Sequence, residues 1–163
     1  MDELQEIIKK AQKENSLFST VDVEKLLDAI ENKKNDYLEN KSLQDIIDEV
    51  FNVLVLLPID KYKVEDLCNR LSEYRYIDKI CDLHKGKHVR WIRTVPINDK
   101  LDYNLTNGGI VVDINFTKEH TLIVCRNYRN YFIKYKFDDC ITFQRLSPDE
   151  QLILMAYEYS QKK

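Results

Sequence analysis

Apolar positions along this chain change period near residue 84. Before it they recur every three or four residues, and after it they alternate, so helices should give way to strands. Leu4, Ile7, Ile8 and Ala11 predict a first helix from about Asp2 to Glu14. Thr20 can cap a second, in which Val23, Leu26, Leu27 and Ile30 form one stripe before the polar turn ENKKND. Ser42 caps a third, with Asp45 three residues on as a short stand-in for the Glu of a capping box. Its stripe is Leu43, Ile46, Ile47, Val50, Phe51 and Leu54, and Pro58 stops it. A fourth helix, from about Val64 to Glu73, turns Val64, Leu67, Cys68 and Leu71 inward. A short fifth segment, YIDKICDLH, leads to Gly86 as a carboxy-terminal cap.

Five strands follow: HVRWIRTV, GIVVDINF, TLIVCRNY, NYFIKYKF and ITFQRL. In the second, Ile110, Val112, Ile114 and Phe116 should leave one face, and Val111, Asp113 and Asn115 the other. In the fourth, Tyr131, Ile133, Tyr135 and Phe137 alternate with Phe132, Lys134 and Lys136. Gly108-Gly109 supplies the positive φ for a sharp entry into the second strand. Ser147-Pro148-Asp149-Glu150 then opens a last helix, with Ser147 as cap, Pro148 first and Glu150 completing the box. That helix should bury Leu152, Ile153, Met155, Ala156 and Tyr159 and close one mouth of the strand module.

The loops between the strands run long (PINDKLDYNLTNG), medium (TKEH), tight (Arg126 to Asn130) and single-turn (FDDC). In that spacing the module resembles small five-stranded barrels of the Src-homology-3-like, Tudor and Sm group. The competing arrangement is an open antiparallel sheet packed on helices. The expected fold is therefore α+β: an N-terminal α-helical region, residues 1–83, then residues 84–163 as a five-stranded antiparallel small β-barrel-like module with a C-terminal capping helix.

Composition changes this picture little. Hydrophobic residues make up 44 % and charged residues 33 %, with three glycines and three prolines, which argues against a long disordered linker. No apolar run approaches the roughly 20 residues of a membrane span. The start MDELQEIIKK is charged from its second residue, so no membrane association or secretion is expected. The location expected is intracellular: the cytoplasm or nucleus of a host cell, or a virion. Charge does change the picture. Residues 1–83 hold 12 Lys/Arg against 19 Asp/Glu, residues 84–145 hold 11 against 6, and the whole chain carries −3. A basic module beside an acidic helical region points to an anionic partner.

Candidate chemistry is sparse. Cys68, Cys81, His84 and His88 have metal-ligand types, but a lone Cys on a helical face is better read as a reduced core residue, so neither metal nor cofactor is expected. Cys125 and Cys140 sit in neighbouring strands and should stay reduced inside a cell. Asp138 and Asp139 are adjacent, point apart and suit a turn, while His120 lies in a charged loop. With no phosphate loop or nucleophile elbow, neither an enzyme nor a small-molecule substrate is expected. Lys85, Lys87, Arg90 and Arg93 gather at the module's entrance, and Arg126, Arg129, Lys134 and Lys136 flank the tight hairpin. Interleaved with Trp91, Tyr128, Tyr131 and Phe132, they are the candidate nucleic-acid-binding residues, since cations neutralise phosphates and aromatic faces stack on bases.

The runs LHKGKHVRWI, LTNGGIVVDI and FDDCITFQRLSPDEQLIL resemble an uncharacterised protein family of large nucleocytoplasmic DNA viruses. The resemblance covers the C-terminal half and implies a virion or virus-factory protein. The function expected is a non-enzymatic structural or protein-interaction module that self-associates as a homodimer. The alternative is a nucleic-acid-binding protein that uses the basic, aromatic-rich face of the β module.

Overall fold

The computed structural model describes Leu38 and residues 41–161, so the helices expected before Ser42 lie outside the described residues. Helix α1 (Leu43–Val55) opens on the expected box: Ser42 N–H donates to Asp45 Oδ2 at 2.9 Å, and Asp45 N–H to Ser42 Oγ at 3.1 Å. Its buried stripe is narrower than expected. Ile46, Val50 and Leu54 are buried, whereas Ile47 and Phe51 are exposed. Helix α2 (Lys61–Arg70) starts three residues early because Asp60 caps it, accepting from Lys63 N–H at 2.8 Å.

The described residues fall into two compact units, one of them Ile47–Arg145. Its centre is an antiparallel sheet of six strands in the order β1-β6-β2-β3-β4-β5. The strands are β1 (Tyr74–Ile77), β2 (His88–Arg93), β3 (Gly109–Phe116), β4 (Thr121–Arg126), β5 (Phe132–Lys136) and β6 (Cys140–Arg145). Two expectations are corrected here. The sheet has six strands rather than five, because Tyr74–Ile77, read as part of a helical tail, pairs along β6 from Tyr74 opposite Arg145 to Ile77 opposite Thr142. The sheet is also not closed into a barrel, since no ladder joins β5 to β1 or β6. The rest of the expected fifth segment is a single 3₁₀ turn, Ile80–Asp82, and Gly86 (φ 86°) serves a turn rather than a helix cap.

The sheet is nevertheless strongly curled. Tyr135 on β5 stacks on Trp91 of β2 with ring centroids 4.1 Å apart, and its hydroxyl lies 3.0 Å from Thr142 Oγ1 on β6. In a flat sheet these strands would stand about 14 and 19 Å from β5. The inner face therefore folds onto itself around Ile77, Leu83, Val89, Trp91, Val111, Ile123, Cys125 and Tyr135. On the outer face, α1 and α2 cover the β1-β6-β2 half with Val50, Leu54, Val64, Leu67 and Leu71 against Ile92, Leu105 and Phe143. Burying Phe143 there contributes about 2–3 kcal/mol.

Strand β3 departs from simple alternation. Its register with β4 shifts between Val111 and Asp113, which leaves Val112 as the extra residue of a bulge. Val111 and Ile114, three apart, then both join the inner core, while Ile110, Val112 and Phe116 are exposed. The single face expected of Ile110, Val112, Ile114 and Phe116 is thus split by one inserted residue, with Ile110 outward before the bulge and Ile114 inward after it. Gly108 (φ 72°) admits no side chain, because a Cβ there would sit 1.8 Å from the Val89 carbonyl oxygen.

In the other unit, helix α3 (Pro148–Gln161) opens as expected: Ser147 N–H donates to Glu150 Oε1 at 3.0 Å and Glu150 N–H to Ser147 Oγ at 3.1 Å. Its buried face is Glu150, Ile153, Leu154 and Ala156, whereas Met155, expected inside, is exposed. Burial pushes the Glu150 carboxyl up, partly offset by its bond to the Ser147 amide. Among the described residues no helix is long and apolar enough to cross a membrane.

Candidate nucleic-acid interface

The tight hairpin joins β4 to β5 at one edge of the sheet. Arg126 pairs with Phe132, Asn127 N–H donates to the Tyr131 carbonyl at 2.9 Å, and Tyr128-Arg129-Asn130 form the loop. Asn130 adopts φ 65°, so the loop is a turn followed by a left-handed residue. Asn127 Oδ1 holds it by accepting from Arg129 N–H (3.0 Å) and Tyr131 N–H (2.9 Å). These side-chain-to-backbone bonds stabilise the turn that carries Tyr128.

Beyond the turn, β5 alternates as expected for Ile133 and Tyr135 inward against Lys134 and Lys136 outward. Tyr131 differs: it closes the loop just before β5 and is exposed, as are Tyr128 and Phe132. Arg126 lies over the Phe132 ring and Arg129 over the Tyr128 ring, each 5.4 Å from the centroid, and Arg129 Nε–H also donates to Tyr128 Oη at 3.0 Å. Arg126, Arg129, Lys134 and Lys136 therefore share one surface at the sheet's β5 edge.

The first set of cations is not brought together. Lys85 pairs with Asp113 at 3.4 Å, Lys87 is half-buried, Arg90 Nε–H donates to the Thr106 carbonyl at 2.8 Å, and Arg93 Nε–H to the Val95 carbonyl at 2.8 Å. Arg90 leaves the outer face of β2, and Arg93 lies at its end beside Cys140. Trp91, read with them, is in the inner core.

A cluster that the sequence did not suggest lies at the opposite edge. Tyr74 Oη is 2.9 Å from His88 Nδ1, and Arg145 Nη2 donates to Glu73 Oε2 at 2.8 Å. Burial lowers the His88 pKa, and Arg90 and Arg145 lower it further; burial raises that of Tyr74 against the pull of the same two guanidiniums. No local motif signals this cluster, because only the β1–β6–β2 register brings its residues together.

Among the described residues no three His, Cys, Asp or Glu side chains converge as a metal site would require. Cys68 packs against the helical core, Cys81 is exposed, and His88 is bound to Tyr74. Burial pushes the Cys125 thiol up to about 12 and that of Cys140 to about 11, so neither offers a nucleophilic thiolate near neutrality. Asp139 uses its carbonyl oxygen to accept from Thr94 N–H and Oγ1. No family model, no curated protein and no solved structure matches the chain.

Proposed function

We propose that this chain is a non-enzymatic binding protein whose β4–β5 hairpin contacts nucleic acid. One observation carries the reading. Arg126, Arg129, Lys134 and Lys136 stand exposed beside exposed Tyr128, Tyr131 and Phe132, and no carboxylate pairs with any of the four among the described residues. Lysines alone would be explained by the need to keep an edge strand from pairing with another chain. Three exposed aromatics in the same few residues work against that purpose, and they are what unpaired bases stack on. The strand order β6-β2-β3-β4-β5, with a 3₁₀ turn (Phe137–Asp139) before β6, supports the resemblance to small barrels. A nucleic-acid partner also suits a virion or virus-factory protein, as the viral resemblance implies.

Titrating labelled single- and double-stranded DNA at two salt concentrations tests the reading. Affinity should fall steeply with salt, and replacing all four cations with Gln should reduce the salt slope by about 3. Absence of binding at low salt would remove the proposal.

Self-association is the second reading, favoured by a separate observation. Ile47, Phe51 and Val55 lie exposed at four-residue spacing on α1, and Phe51 and Val55 border a groove of about 370 Å³ with Val64 and Cys68. A second copy of the chain presenting the same stripe would bury it in a two-fold dimer. Light scattering should then show a concentration-dependent dimer that Phe51→Glu abolishes.

A further inference from the structure

We infer that the nucleic-acid contact extends from the hairpin across all six strands as a track for a single strand, formed by Tyr74, Arg145, His88, Ile110, Arg126 and Phe132. The inference rests on the hairpin reading above. Its basis is the register. Tyr74 lies opposite Arg145, His88 opposite Ile110, Ile110 opposite Arg126, and Arg126 opposite Phe132. The remaining step follows from Val89 opposite Gln144, which sets His88 across from Arg145. Directly opposed residues point to the same face. The six side chains therefore form one row perpendicular to the strands, on the outer face: Arg145, Ile110, Arg126 and Phe132 are exposed, while Tyr74, at the margin of the helical core, and His88 are half-buried.

The curl decides which nucleic acid fits. The outer face of a curled sheet is convex, and a stiff duplex is convex too, so the two would touch over a short arc. A flexible single strand can follow the curve. Five inter-strand steps of about 4.8 Å give a path of about 24 Å, room for about four nucleotides. Ile110, half exposed at mid-row, offers an apolar platform between the cations. At the β1 end Glu73 already holds an anion against Arg145, at 2.8 Å, in the place a phosphate would take.

Fluorescence anisotropy on the full chain with labelled oligo(dT) of two, four and eight residues tests the track. Affinity should climb from two to four residues and then level off. Arg145→Gln should weaken binding of the eight-residue probe about fivefold and lower its salt slope by about 0.7. Glu73→Gln, which frees Arg145 without removing any part of the row, should tighten it two- to threefold. If neither variant changes the affinity while Arg126→Gln does, the track is wrong and the hairpin reading stands. If a blunt duplex competes as well as the single strand, the assignment to single strands is overturned. If wild type binds no probe at low salt, the hairpin reading fails and takes the track with it.

Discussion

The two faces of the β4–β5 hairpin use the same residue types for opposite ends. Inward, Tyr135 stacks on Trp91 from three strands away, and its hydroxyl reaches Thr142 four strands away. Outward, the exposed rings of Phe132 and Tyr128 lie under Arg126 and Arg129, residues of the same hairpin. An aromatic whose partner comes from a distant strand holds the curl. One that meets only a guanidinium of its own hairpin contributes little to folding and leaves a ring face exposed.

Single substitutions should separate the faces most sharply. Trp91→Ala removes the stacking partner of Tyr135 from a closed inner core and should cost about 4 kcal/mol in urea unfolding. Phe132→Ala, on the outer face, should cost less than about 1 kcal/mol yet weaken oligonucleotide binding about tenfold. Equal stability losses at the two positions would erase the distinction. Gly108→Ala comes next, at about 3 kcal/mol, because it forces a side chain into a positive φ against the Val89 carbonyl. Gly86→Ala serves as its control: φ is also positive there, but the space is open, and about 1 kcal/mol is expected.

The same contrast explains what the sequence could show. Both capping boxes were legible because their partners sit three residues apart and depend on nothing else. Lys134 and Lys136 were legible as an outward pair because β5 alternates without interruption. Strand β1 was not: four residues are too few to display a period, and Arg75 in its middle is buried, donating to the Asp82 carbonyl at 2.6 Å. The faces of β3 were misread because the bulge at Val112 leaves no mark on the apolar pattern. Arg145 and Glu73, 72 positions apart, meet only after β1 and β6 have paired. Local chemistry suffices to suggest the hairpin half of the proposed row, and register alone brings the rest of it together.

A subtler break targets the curl itself. Tyr135→Phe leaves the buried Thr142 hydroxyl without its partner and should cost about 1–2 kcal/mol. Adding Thr142→Val removes the orphan and should recover part of the loss, with a coupling of about 1 kcal/mol in a double-mutant cycle. Strict additivity would mean that the hydroxyl pair does not help to hold β5 against β6.

The smallest effect is a change of sign at one residue of the outer row. His88 is surrounded by Tyr74, Arg90 and Arg145, the last paired with Glu73, and its pKa lies below the ordinary 6.5 through burial and the two guanidiniums. The folded state therefore takes up a proton less readily than the unfolded chain. Stability from this group is complete above about pH 6.5 and falls as pH drops through that value toward the folded pKa. His88→Gln should flatten that part of the stability curve without moving the plateau. Oligonucleotide binding should run the other way. A phosphate beside the imidazole favours its charged form, so affinity for oligo(dT) should rise as pH falls through the same range, and His88→Gln should remove the rise. A protein that loses both stability and affinity on acidification would place no phosphate at His88, and the row would end at Ile110.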